Sequence, residues 1–209
     1  MASETRTIEQ VGADLARGAL PDSDAARVAP IFGVVTRLLL RAEPVTVAEI
    51  VAASGGTEAE VSEALNSLGP VERDGEGRVL GLGLTVVPTP HRFRVDGRDL
   101  YTWCALDTLI FASLLGVGAQ VESPCQSSGT PVRLTATPEG VSGVEPPGAV
   151  VSVVPIEHAP NIRTAFCDHV HFFRSAADAD VWLAQHPGGM VLPVGDAFAL
   201  GRGFADQMR

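Results

Sequence analysis

Apolar residues recur at helical spacing through the first third of the chain and at shorter, strand-like spacing over most of the rest. From Ala25 to Ala42 the positions Val28, Ile31, Val34, Val35, Leu38 and Leu39 fall on one helical face, and Pro44 ends the run. Thr46 then caps a short helix, Val47 to Ala53, that stops at Gly55-Gly56. Thr57 and Glu60 form a Thr-x-x-Glu capping box ahead of Val61, Ala64, Leu65 and Leu68, which predicts a third helix. Val71 to Leu80 carries Asp74-Gly75 between short strand-like runs and reads as a hairpin. Three helices followed by a hairpin describe a winged helix. Ahead of them, residues 1–24 are polar and Ala-rich, with one helix expected from Thr7 to Gly18.

The second part of the chain changes character. Strands are expected at Leu82 to Val87, Arg92 to Val95, Ala119 to Glu122, Val132 to Ala136, Ala149 to Pro155, His169 to Phe173 and Met190 to Val194. Helices are expected from Asp99 through the apolar stretch Tyr101 to Phe111, from Ala176 to Gln185, and from Gly195 to Gln207. Short strands joined by tight turns and interleaved with helices favour α+β with small antiparallel sheets over a doubly wound fold. The division expected is a helical, winged-helix-like unit over 1–80 and a catalytic α+β unit over 81–209. Gly81-Leu82-Gly83 precedes a strand and opens no helix, so it is not a phosphate loop.

Charge narrows the partners. The formal net charge is -10 and every one of the fifteen basic residues is Arg. The third helix, where a winged helix would present its recognition surface, carries Glu58, Glu60 and Glu63 and no cation. Phosphate backbones repel such a surface, so nucleic acid is not an expected partner. No apolar run reaches membrane-spanning length and no charged segment leads into a short apolar one, so neither a membrane span nor a signal peptide is expected, and the cytoplasm is the expected compartment. Three cysteines cannot all pair with one another, and in a reducing compartment they are free for metal binding or reaction.

Two of those cysteines stand in chemical company. Cys104 and Asp107 share an i, i+3 spacing inside the apolar stretch, which would put thiol and carboxyl on one face of a helix. Burying an unpaired carboxyl costs roughly 2 to 7 kcal/mol, so a helix with only a packing role would carry Leu or Ala there. With Asp99 as N-cap, Cys104 would lie near the positive helix end, which favours the thiolate, while Asp107 opposes it; the pair would share one proton. Cys167 lies in Phe166-Cys167-Asp168-His169-Val170-His171-Phe172-Phe173. On a strand, Cys167, His169 and His171 would share a face, and Cys-x-His-x-His can hold zinc. No short-spaced further ligand completes such a site, so histidines facing core or solvent are the favoured reading. Asp168 reads as a loop acid, Trp103 and Phe111 as packing around the site. Cys125, in a Ser/Pro/Gly loop, reads as structural.

Leu100-Tyr101-Thr102-Trp103-Cys104-Ala105-Leu106-Asp107-Thr108-Leu109-Ile110-Phe111, the Phe166 to Phe173 segment, Glu145-Pro146 and the closing Ala197-Phe198-Ala199-Leu200-Gly201 together resemble organomercurial lyase, also called alkylmercury lyase. The likeness runs from about Arg37 to the C-terminus. It implies that Cys104 and Cys167 bind the mercury of an organomercurial, that Asp107 handles the proton and contacts the metal, and that Cys125 matches a structural cysteine. It also implies protonolysis of R-Hg⁺ to R-H and Hg²⁺ in mercury detoxification, with no organic cofactor. External low-molecular-weight thiols, or a partner such as mercuric reductase, would take the product. One departure is visible: Asp168 stands where well-known members carry a second cysteine directly after the catalytic one, which bears on mercury handover more than on bond cleavage. The alternatives left open are a non-catalytic soft-metal (mercury) binding protein, a metal-responsive winged-helix regulator and a zinc hydrolase.

Overall fold

A computed structural model of the chain describes Gly12, residues 25–155 and residues 161–208. Apart from Gly12, the helix expected over Thr7 to Gly18 lies outside these residues. Three helices come first: α1 (Ala25–Leu39), α2 (Val47–Ser54) and α3 (Glu58–Ser67). Both Thr46 and Thr57 close reciprocal capping boxes, with Glu49 and Glu60 at the third helical position. Val28, Val35, Leu39, Ile50, Val61 and Leu65, the apolar face of these helices, are buried at about their full side-chain area. Acidic α3 is partly neutralised within this unit, since Arg27 of α1 pairs with Glu63 at 3.3 Å.

The hairpin forms as expected from β1 (Glu72–Arg73) and β2 (Val79–Leu82), with Asp74 accepting from the backbone of Glu76 and Arg78 to close the loop. These strands begin an antiparallel eight-stranded sheet of order β1-β2-β3-β5-β4-β6-β7-β8, with β3 (Leu84–Thr85), β4 (His91–Val95), β5 (Arg98–Thr102), β6 (Ala119–Pro124), β7 (Pro131–Ala136) and β8 (Val141–Glu145). Along β6 and β7 buried and exposed residues alternate strictly, the mark of a sheet with one face on the core. A second sheet has β9 (Val150–Val153) between β10 (Phe172–Phe173) and β11 (Met190–Pro193).

Three expectations need correction, and one strand was not expected. Arg98–Thr102 is not the start of a helix but a strand paired with His91–Val95. The reason is the two-residue turn Asp96-Gly97, both at positive φ (48° and 79°), which fits the twist of a hairpin and sets the register Val95 to Arg98. The helix begins only at Asp107: α4 (Asp107–Leu115) has every residue from Thr108 to Leu115 buried and ends at left-handed Gly116. The strand expected over Leu82 to Val87 is broken at Gly83, whose φ of 78° folds β3 back on β2; a Cβ there would sit 2.9 Å from Phe111. The strand expected over His169 to Phe173 is reduced to Phe172–Phe173, because Cys167–His169 forms a 3₁₀ turn after the short helix α5 (Ile162–Ala165). Finally, β8 went unanticipated; with Gly143 inside it and half-exposed residues, it carries no strong alternation.

Helix α6 (Asp180–Gln185), preceded by a 3₁₀ turn, and helix α7 (Val194–Gln207) complete the chain as expected. Helix α7 packs on α4, where Gly201 approaches Ile110 so closely that a Cβ would lie 3.1 Å from its Cγ1. Among the described residues no helix is long and apolar enough to cross a membrane.

Candidate active site

The loop between β5 and α4 is held from three sides. Trp103 N–H donates to Gly83 O at 2.9 Å, Thr102 Oγ1 donates to Cys104 O at 2.8 Å, and Ala105 N–H donates to Val170 O at 3.1 Å. The last bond ties this loop to the turn carrying Cys167. That turn has its own anchor in Ser152, a fully buried residue of β9: its Oγ donates to His169 O at 3.1 Å and accepts from His171 N–H at 2.9 Å. Two remote segments are thereby brought into fixed contact.

Cys104, Asp107 and Cys167 meet where they touch, their sulfur and carboxylate atoms all within 4.8 Å of one another. Cys104 is fully buried and Cys167 is 5% exposed. Asp107 does not face Cys104 along a helix, as the sequence suggested. It is the first residue of α4, and its carboxylate turns back to accept the Cys104 N–H at 3.2 Å. The expected proximity survives through a different local geometry. All three cysteines are free thiols.

Burial controls the charges. It lifts Asp107 to about 6, against the downward pull of hydrogen bonds from Cys104 and of the Arg163 cation. Burial, the hydrogen bond to Cys167 and the Asp107 charge push the Cys104 thiol well above its ordinary range. For Cys167 the strongest influence is the hydrogen bond with Cys104, which works downward. Burial and the acids Asp107 and Asp168 outweigh it, so this thiol too is raised. The resting site is thus a neutral dithiol beside a carboxyl group that changes protonation just below neutrality, a set able to grip a soft metal and hand over a proton.

Beside the thiols lies a mostly apolar pocket, open to solvent on one side, into which Asp107 and Cys167 open between Trp103, Phe111, Ile162 and Phe166. Phe32 of α1 stacks over Phe111 with ring centroids 6.2 Å apart, so the N-terminal unit contributes to its wall.

The zinc alternative has no support in this arrangement. His169 Nδ1 is 3.3 Å from His186 Nε2, while His171 stacks on His91; neither joins Cys167 in a metal-binding group among the described residues. Burial holds His171 down to about 4 and His91 to about 3, so both are neutral. Cys125 lies apart from the cluster, buried in its turn with Sγ 3.4 Å from Ser127 Oγ; Asp168 is exposed. Two residues were missed by sequence reasoning. Ser152 is the one polar residue in the buried strand Val-Val-Ser-Val, a faint signal; Arg163, which lies over the Trp103 ring, gave none.

A family model described as alkylmercury lyase matches residues 84–206. The chain belongs to the alkylmercury lyase family. A second model, the helix-turn-helix domain of alkylmercury lyase, matches residues 9–83, in agreement with the winged-helix reading. An alkylmercury lyase from Bacillus cereus is 52% identical over 172 residues, covering 82% of this chain and 79% of its own. An alkylmercury lyase from Pseudomonas putida is 43% identical over 180 residues, covering 86% and 85%. The fold is also that of a crystal structure of the mercury-bound form of MerB2, with a TM-score of 0.77 over 97% of this chain and 98% of the other at 22% identity.

Proposed function

We propose that this alkylmercury lyase family member cleaves the carbon-mercury bond of organomercurials by protonolysis, with Cys104 and Cys167 as mercury ligands and Asp107 as proton carrier. The observation that carries this reading is the convergence of two buried thiols and a carboxyl within 4.8 Å at the edge of an apolar cavity. A thiol-bound substrate R-Hg-SR′ exchanges its thiolate for one cysteine, whose proton leaves with R′SH. The second cysteine passes its proton to the Asp107 carboxylate as its sulfur joins the metal. Two thiolates raise electron density at mercury and weaken the Hg-C bond. Asp107, now protonated, delivers that proton to carbon. The products are R-H and Hg²⁺ held by both sulfurs; no oxidant, reductant or organic cofactor enters. Cytosolic low-molecular-weight thiols, or mercuric reductase, then take Hg²⁺ and return protons to the cysteines.

The competing reading is a mercury scavenger, which needs the two thiols but not Asp107. Incubation with phenylmercury and excess thiol separates them. Catalytic release of benzene supports the lyase, and retention of intact phenylmercury on the protein would overturn it.

A further inference from the structure

Besides the backbone bond from Trp103 to Gly83, which follows β2, the winged-helix hairpin reaches the active-site segments through an ion pair. Glu72 of β1 meets the guanidinium of Arg163 on α5, and Arg163 Cζ lies 5.0 Å from the centre of the Trp103 ring. Trp103 immediately precedes Cys104, and Arg163 lies four residues before Cys167, on the short helix that leads into its turn. Direct contacts therefore run from Glu72 through Arg163 to both segments of the site.

The surroundings of Glu72 are built for this contact. Its side chain is 18% exposed, whereas Glu76 in the same hairpin is 76% exposed. Across the hairpin it faces Gly81, where a Cβ would lie 2.2 Å from Glu72 Oε2, so glycine leaves the space the carboxylate fills. Oε2 is buried with no hydrogen-bond partner among the described residues. A half-desolvated carboxylate is a poor device for stability alone, because the lost hydration offsets the attraction to its partner.

We propose that Glu72 is a positioning residue of the active site: through Arg163 it fixes the Trp103 ring, and with it the Cys104 backbone, against Cys167 and Asp107. The hairpin of this winged helix then serves as a buttress for the catalytic loop. Arg163 stacks its flat cation on the ring and is held there by the acid behind it. This inference rests on the lyase reading.

The test compares Glu72→Gln and Glu72→Asp in the intact chain, using phenylmercury with excess thiol, and follows Trp103 fluorescence in a Trp182→Phe background. Glu72→Gln should lower kcat by roughly ten- to hundredfold, the cost expected of a small misplacement of reacting groups, with KM within about threefold. It should also change Trp103 emission, and Glu72→Asp should recover much of both. Wild-type kcat in Glu72→Gln, or lost kcat with unaltered Trp103 emission, would overturn the proposal. If Glu72→Gln does not fold, Arg163→Lys, which keeps the charge but not the flat stacking group, decides: an unimpaired kcat refutes the linkage. Absence of benzene from the unmutated protein would instead reject the lyase reading, and the emission change would still report on Glu72.

Discussion

Asp107→Asn separates chemistry from structure, because its effects on rate and on stability should point in opposite directions. Asparagine keeps a carbonyl oxygen that can accept the Cys104 N–H, now bonded to Asp107 Oδ2 at 3.2 Å, but cannot carry a proton. General acids typically contribute about 10² to 10⁴ in rate, or about 3 to 5 kcal/mol, so turnover should collapse by that factor. Stability should behave otherwise. Burial raises Asp107 from 3.8 to about 6 in the folded protein. A group whose folded pKa lies above its unfolded value contributes stability below the unfolded pKa and loses it as pH rises through the folded one. Two units correspond to about 3 kcal/mol, lost between pH 4 and about 6. The asparagine variant lacks that loss, so at pH 7 it should be at least as stable as the unmutated protein, and its stability should vary less across that window. Urea unfolding at pH 4 and pH 7 measures this. Mass spectrometry after mixing with phenylmercury should show an adduct still bearing the phenyl group. Benzene release within a few-fold of the normal rate would refute the proton-carrier role.

Cys104→Ser and Cys167→Ser should each abolish turnover, since oxygen is a poor mercury ligand and one thiolate cannot activate the Hg-C bond alone; comparable benzene release by either variant would remove the two-thiol mechanism. Cys125→Ser should keep kcat within a few-fold, its thiol lying apart from the cluster, while lowering stability by about 1 kcal/mol, read as the urea midpoint. Duplex DNA should not be retarded at physiological salt, because α3 offers three acids and no cation to phosphates; salt-sensitive binding to one sequence would favour a regulator.

The helical half of the fold was legible because its signals are local. Val28 to Leu39 repeats at helical spacing, and Thr46 and Thr57 each make the side-chain bonds that start a helix. The antiparallel α+β character of the rest was legible too, in the alternation of Ala119–Pro124 and Pro131–Ala136. The stretch before Cys104 misled because its strand buries only Leu100 and Thr102, too few positions to show the alternation that separates strand from helix. Asp96-Gly97, the same dipeptide that marked the first hairpin, was the signal that resolves it. Cys104 and Asp107 were recognised from a carboxyl in an apolar setting, although the turn that joins them is not the expected helix. The approach of Cys167, sixty-three residues after Cys104, depends on Ser152 and the bond from Ala105 to Val170, which no local pattern reports. Family resemblance pointed to that pairing where residue spacing could not.

The central claim is that two thiols and one carboxyl suffice to protonate carbon on mercury. A single turnover in heavy water, with protein in excess over phenylmercury and no added thiol, tests it most directly. The account predicts one monodeuterated benzene per mercury added, with Hg²⁺ left on the protein and Cys104 and Cys167 both protected from alkylation. Phenylmercury recovered intact on the protein, or benzene formed while either cysteine remains free to alkylate, would contradict it.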